Sequence, residues 1–425
     1  MSSASSGPIR AVAKFFFEGD RKFFVKGVTY GPFSPDSEGH FLGPRDQAER
    51  DLAQMRGLGI NVVRIYHVPP LWFLDCCVAA GMRVLITLPW AKHVEFLGRK
   101  ASRQEIVAMV RTAVAANRGH PAIFGYLVGN EISSTMVRWL GVRRVTEFVE
   151  HLIRVGRETD PNVLFSYASY PPTEFLLPQN SDFSCFNVYL HDQGDFERYL
   201  LRLQNLSEDR PLILGEFGMD TIRHTEEEQA EMLGWHVDSV VKCGLAGTIF
   251  FTWTDEWFTG GQQITDWAFG LVTRTREPKK AFFTLREKLG QDDAALPHRA
   301  LPRTPFVSVI VCSYNGGKTL RECLESLGRI DYPHYEVILV DDGSTDDTIN
   351  VLVREFGLLR MDFIYRESIP AKPPLAYYFN PDRPELIVMY KENGGKSDAL
   401  NVGINMVHSP YFCTVDADSI IGADA

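Results

Sequence analysis

Two rhythms alternate along the first 290 residues: short runs of consecutive apolar residues, and longer stretches in which apolar positions recur every three or four residues. The runs predict buried strands at 23–30, 61–66, 83–88, 124–131, 163–166, 183–189, 211–216 and 247–253. Helical spacing falls between them at 47–58, 71–80, 103–117, 142–159, 196–203 and 225–243. Strand-then-helix units repeated over about 270 residues match the size of a (β/α)8 TIM barrel, whose parallel strands are buried on both faces and therefore read as unbroken apolar runs. In that architecture chemistry sits at the C-terminal ends of the strands.

Two of the runs end in a carboxylate. Phe124-Gly-Tyr-Leu-Val-Gly-Asn-Glu131 and Pro211-Leu-Ile-Leu-Gly-Glu216 each carry a Gly shortly before the acid, at the ends of the fourth and seventh predicted strands. These strands face each other across a closed barrel, so the two side chains can converge. A pair of carboxyl groups on one cleft is the minimum equipment for cleaving a glycosidic bond: one protonates the leaving oxygen, the other attacks or activates water. A competing reading of Asn130-Glu131 is a helix N-cap with a dipole-matched acid.

A break follows. Residues 291–305 hold three prolines and no periodicity, which predicts a linker between a barrel at 1–290 and a second α/β domain at 306–425. There, 306–312 is a strand, 318–327 a helix, and Tyr335-Glu-Val-Ile-Leu-Val-Asp-Asp-Gly-Ser-Thr-Asp346 a strand running into an acidic Gly turn. Lys391-Glu-Asn-Gly-Gly-Lys396 and Tyr411-Phe-Cys-Thr-Val-Asp-Ala-Asp418 come later.

Composition changes this picture little. A chain of 425 residues with 45% hydrophobic and 23% charged residues is ordinary for globular domains, and a net charge of −10 argues against nucleic acid as a partner. The seven Cys lack a paired spacing and read as reduced thiols. Neither a secretory signal nor an 18-residue apolar span is evident.

Arg64, Gly129-Asn130-Glu131, Gly215-Glu216-Phe217, Trp253 and the segment Phe269-Gly-Leu-Val-Thr-Arg-Thr-Arg-Glu-Pro-Lys-Lys-Ala281 resemble the clan A retaining glycoside hydrolases, the last segment being similar to the barrel exit of family 2 members. The resemblance implies Glu131 as general acid/base, Glu216 as nucleophile, Asn130 on the sugar 2-hydroxyl, Arg64 and Tyr189 orienting Glu216, and Trp253 as pocket floor. It also implies carboxyl groups about 5 to 5.5 Å apart and net retention. The β-sandwich domains that precede family 2 barrels are not found in this sequence. His67, Trp90 and His93 follow the second and third strands and are expected to line sugar subsites, against the alternative of ordinary loop residues. Asp255, Glu256 and Trp257 are either a further subsite or exposed loop. The barrel needs no cofactor, and its expected substrate is a β-linked, glucan-type oligo- or polysaccharide. Hydrolysis, transglycosylation and non-catalytic sugar binding all remain open; the intact acid pair disfavours the last.

The second domain resembles the start of inverting family 2 glycosyltransferases of the cellulose- and hyaluronan-synthase type, which have a nucleotide-sugar-binding GT-A (Rossmann-like) fold. That implies a UDP-sugar donor, with Asp341 and Asp342 on uridine and ribose, Lys396 near the phosphates, and Asp416 and Asp418 as oxygen ligands for Mg²⁺ or Mn²⁺. The expectation is of a truncated domain: the chain stops at Ala425, before the place where that family carries its catalytic-base Asp, acceptor motif and membrane helices. Membrane anchoring is therefore expected only through segments beyond residue 425, and a cytoplasmic location because sugar nucleotides are made there.

Overall fold

The structure is a computed structural model that describes residues 7–19, 21–90, 95–290 and 304–422. It divides into two compact units, residues 1–297 and 298–425. The first opens with an antiparallel three-stranded sheet, β1 (Ile9–Val12), β2 (Phe15–Glu18) and β3 (Arg21–Phe23). Eight parallel strands follow: β4 (Val25–Thr29), β5 (Val62–Ile65), β6 (Arg83–Thr87), β7 (Ile123–Asn130), β8 (Leu164–Ser169), β9 (Ser184–Asn187), β10 (Leu212–Phe217) and β11 (Gly247–Phe250). They close in the order β10-β11-β4-β5-β6-β7-β8-β9, which is the predicted (β/α)8 barrel.

The apolar runs are buried as their lack of alternation requires: every residue of β4, β5, β6, β8, β9, β10 and β11 is buried. Helices pack outside. The helix Glu226–Lys242 shows how local sequence fixes one of them. Thr225 and Glu228 form a reciprocal capping box, three acids occupy its first turn and Lys242 its last. Such a cap contributes about 0.5–2 kcal/mol, and the charges match the helix dipole.

The first sheet was not legible in the sequence, and it matters for function. Phe16 is fully buried with its ring 5.0 Å from Phe124 and 5.6 Å from Phe183, in one cluster with Val25, Val62, Leu85 and Ile213. Val25 opens β4, Val62 opens β5 and Phe124 and Ile213 lie near the starts of β7 and β10, so the sheet plugs the N-terminal end of the barrel. Among the described residues this leaves the C-terminal mouth for a ligand. There a hairpin, β12 (Trp257–Thr259) and β13 (Gln262–Ile264), rises from the loop after β11, and the Phe258 amide donates to the Pro32 carbonyl at 2.8 Å.

The second unit is a six-stranded sheet with helices: β14 (Val307–Ser313), β15 (Tyr335–Asp341), β16 (Leu359–Met361), β17 (Pro374–Phe379), β18 (Leu386–Lys391) and β19 (Tyr411–Asp416), ordered β16-β17-β18-β15-β14-β19. β18, β15, β14 and β19 run parallel and β17 antiparallel.

Candidate active site

Glu131 follows the last residue of β7 and Glu216 lies near the end of β10, the fourth and seventh strands of the barrel. Between them stands Arg64 of β5, whose guanidinium is fully buried. Its Nε donates to Thr87 Oγ1 at 3.1 Å, Nη2 to Asn130 Oδ1 at 2.9 Å, and Nη1 to the Gly215 carbonyl at 2.8 Å and Asn187 Oδ1 at 3.1 Å; Nη1 also lies 3.2 Å from Glu216 Oε1. Asn187 Nδ2 then donates to Glu131 Oε1 at 2.9 Å and to Asn130 Oδ1 at 3.0 Å. One cation and one amide therefore tie both carboxylates and Asn130 into a single network.

Glu216 is further gripped by two phenols, Tyr66 donating to Oε1 at 2.8 Å and Tyr189 to Oε2 at 3.0 Å. Burial pushes the Glu216 carboxyl above its ordinary value; Arg64 pulls it back, Glu131 adds to the rise, and the two phenols stabilise the anion. Burial of their hydroxyls and the neighbouring carboxylate hold both phenols well above the usual range, so they remain donors. Burial opposes the charge on Arg64, yet Tyr66, Glu216 and Glu131 hold its pKa above the ordinary value.

Close packing explains the glycine before Glu216. A Cβ at Gly215 would lie 2.6 Å from Cys185 Sγ, 2.7 Å from Asn187 Oδ1 and 2.8 Å from Arg64 Nη1, so any side chain there would dismantle the network. Glu131 takes φ 51°, the left-handed region that a non-glycine residue enters at a cost. Its amide donates to Ala168 O at 2.9 Å, and the Ile132 amide to Tyr167 Oη at 2.8 Å, which hold that turn in place.

Of the other barrel residues singled out by sequence, His67 is buried beside Phe41, the ring centroids 5.7 Å apart. Trp90 donates to the Val128 carbonyl at 2.7 Å and packs on Phe96 and against Gly129, which makes it a prop under the strand that carries Asn130. His93 lies outside the described residues. Trp253 requires correction. Its ring is wholly buried near Phe282 of the outer helix Lys280–Leu289, so it does not floor the pocket. Phe251, two residues earlier, faces the mouth instead, its ring 6.4 Å from Tyr189, 4.8 Å from Trp257 and 5.4 Å from Phe269. Asp255 accepts from the Gly270 amide and Lys279, and Glu256 pairs with Arg276, so both brace the loop after β11.

Sequence reasoning missed Tyr66, Asn187 and Phe251. The signal for the first two was present: Tyr66 is two residues past Arg64 and Asn187 two before Tyr189, and side chains two apart on an extended chain share a face.

In the second unit a cavity of about 470 Å³ is lined by Asp342, Lys396, Asp416 and Asp418 among others. Lys396 Nζ lies 2.5 Å from Asp416 Oδ1, and both side chains are solvent-accessible. Asp342 is buried, accepting from Lys391 Nζ at 2.5 Å and from the Gly394 and Gly395 amides at 3.0 and 2.7 Å. Asp341 does not line the cavity. It is fully buried beneath the turn, where it accepts from the amide and hydroxyl of Ser344, and burial raises its pKa. Among the described residues no group of three or more His, Cys, Asp or Glu side chains is arranged to hold a metal ion.

Comparison with known proteins bears on both units. Residues 1–158 match the family model described as Glucanosyltransferase, and residues 308–366 match Glycosyl transferase family 2. The chain thus resembles these two kinds of module in succession. Its barrel region is 24% identical over 262 residues to 1,3-beta-glucanosyltransferase gel1 of Aspergillus fumigatus, a match covering 56% of this chain and 58% of the relative. The second unit is 33% identical over 117 residues to glycosyltransferase GlyG of Streptococcus pneumoniae, covering 27% of this chain and 31% of that protein. The chain thus spans little more than half of the one relative and under a third of the other. The β-glucuronidase of Bifidobacterium dentium shares the fold, with a TM-score of 0.57 at 18% identity over 67% of this chain and 49% of that one. Among the described residues no helix is long and apolar enough to cross a membrane.

Proposed function

We propose that the barrel cleaves a β-linked glucan by double displacement and passes the glycosyl group to a second sugar. Glu131 protonates the leaving oxygen as Glu216 attacks the anomeric carbon. Glu131, now a carboxylate, then takes the proton from an incoming hydroxyl, which displaces Glu216 and restores the β-linkage. Arg64, Tyr66 and Tyr189 hold Glu216 in place, Asn130 meets the sugar 2-hydroxyl, and Phe251 with Trp257 offers the apolar surface on which a ring stacks. The observation that carries this reading is the single network joining both carboxylates at the mouth left open by the plugged barrel.

The names of the barrel's relatives, 1,3-beta-glucanosyltransferases, favour a β-1,3-glucan substrate and transfer to sugar over transfer to water. Incubating the protein with a β-1,3-linked glucose hexamer and resolving the products by size tests this. Products longer than the hexamer are expected; shorter ones alone would mean hydrolysis, and no change would remove the catalytic reading.

For the second unit the reading is donor-sugar binding by a UDP-sugar. Asp416 and Asp418, two exposed carboxylates at the end of β19, would hold Mg²⁺ or Mn²⁺, which neutralises a diphosphate. Lys396 adds charge beside it, and Asp342 fixes the glycine turn that precedes Lys396. Under this reading both units work in the cytoplasm, where sugar nucleotides are made.

A further inference from the structure

On the outside of the barrel the helices Lys100–Ala116 and Val142–Thr159 pack against each other and leave a groove of about 480 Å³ along their first halves. None of Arg64, Glu131, Asn187 and Glu216 lines it. The buried side chains of Leu97 and Phe148 form an apolar floor, around which Lys100, Arg103 and Arg144 stand as exposed cations. Glu147 is the one acid in the lining, and it already faces Arg143 at 3.7 Å. Elsewhere the chain pairs its helical cations one turn away: Arg45 meets Glu49, Arg50 meets Asp46 and Arg321 meets Glu325. One turn on from Lys100 and Arg103 stand Gln104 and Val107, and among the described residues neither cation has an ion pair or a side-chain hydrogen bond. Their helix carries no acid in its first turn, so its dipole, positive at that end, adds to their field. In a chain of net charge −10, unpaired cations gathered over an apolar floor suit an anion with an apolar body.

We propose that this groove binds a phosphate ester, its phosphoryl group held by Lys100, Arg103 and Arg144 and its organic part resting on Leu97 and Phe148. Side chains three apart on a helix are neighbours, so Lys100 and Arg103 can share one anion, with Arg144 reaching it from the facing helix. Three cations against one paired acid call for more than a single negative charge. A phosphate monoester carries about −1.5 to −2 at neutral pH, and its oxygens match the fork of a guanidinium. The volume falls in the range of small-molecule sites, about 300–1,000 Å³. Because the groove lies apart from both barrel acids, the inference stands independently of the glucan-active reading.

Titration calorimetry of the full chain with phenyl phosphate, in buffer free of divalent metal, tests the site. Binding is expected, and it should weaken as salt is raised. The double variant Lys100→Ala/Arg103→Ala should weaken it at least about tenfold, and Arg144→Ala, on the facing helix, should weaken it independently. Arg111→Ala removes an exposed cation of the same helix that lies outside the groove, and should leave the affinity within about twofold. Inorganic phosphate should bind more weakly than phenyl phosphate, since it has nothing to set against Leu97 and Phe148. No binding, an affinity unchanged in variants that melt like wild type, or equal affinity for inorganic phosphate would overturn the proposal. So would binding lost in Lys396→Met rather than in the double variant, which would put the anion in the second unit. Capture of the chain by phosphatidylglycerol vesicles without binding to phenyl phosphate would make this face a membrane contact and overturn the small-ligand site as well.

Discussion

Both units deliver carboxylates to the C-terminal ends of parallel strands, yet the two sites treat them in opposite ways. In the barrel, Glu216 is buried and both its oxygens are occupied by donors from the ends of two other strands, while Arg64 beneath it is wholly enclosed. In the second unit Asp416 and its partner Lys396 are 62% and 65% exposed. Burial with full hydrogen bonding holds a group within a fraction of an ångström and tunes its proton affinity, which covalent chemistry at one carbon requires. Exposure leaves a carboxylate hydrated and free to rearrange around a cation and a diphosphate. Equal placement on the strand therefore does not fix a carboxylate's environment; the surrounding donors do.

The contrast predicts unequal responses to substitution. Glu216→Gln should lower kcat by about 10⁴-fold or more, because an amide cannot form the glycosyl-enzyme, with an unchanged circular dichroism spectrum. A variant with more than a few per cent of wild-type activity would break the comparison. Arg64→Met should cost about 3–5 kcal/mol of stability, since it strands a buried carboxylate, and chemical denaturation would register that. Lys396→Met, which removes an exposed ion pair, should move stability by under about 1 kcal/mol.

Glu131→Ala should slow substrates with poor leaving groups by about 10²–10⁴-fold and aryl glycosides far less, since only the former need a proton in the first step. Equal losses on both would remove Glu131 from the acid/base role; it does not cap the helix that follows, which Ser133 caps by accepting from the Met136 amide.

The pH dependence sharpens the same point. The proposed nucleophile must be an anion to attack, and burial raises the Glu216 pKa above its ordinary 4.5, so activity should fall on the acid side at a higher pH than a solvated carboxylate would dictate. Tyr66→Phe removes a bond that stabilises the anion and should move this acid limb to still higher pH. A limb unmoved, or moved to lower pH, would contradict the network. Smallest of all, Trp253→Phe should leave kcat/KM within about twofold, while Phe251→Ala raises KM, because only Phe251 faces the mouth.

The barrel and its two acids were legible because parallel strands buried on both faces leave unbroken apolar runs, and a carboxylate that interrupts such a run stands out. Arg64, Asn130 and Tyr189 were reached only through the resemblance to the clan A glycoside hydrolases, because nothing in the apolar pattern marks them. Phe251 was not: β11 ends at Phe250, and beyond the ladder the alternation of faces no longer tells which of Phe251 and Trp253 looks inward. The plugging sheet escaped because strands of three and four residues in a segment rich in Arg and Lys give no periodic signal. His67 was placed near sugar subsites by its position after the second strand, but its burial beside Phe41 exists only in three dimensions.

For the second unit, titration calorimetry of the full chain with UDP should show weak binding that requires Mg²⁺ or Mn²⁺ and is lost in Asp418→Asn. Metal-independent binding would undo the role given to Asp416 and Asp418.

If Glu216 becomes covalently glycosylated, mass spectrometry of the trapped intermediate will show it. A 2-deoxy-2-fluoro glycoside with an activated leaving group slows release of the glycosyl-enzyme more than its formation. After incubation and proteolysis, the peptide bearing Glu216 should carry one added glycosyl mass, absent from Glu216→Gln. Label on Glu131, or turnover of the ordinary substrate to the α-anomer with no adduct at all, would contradict the account.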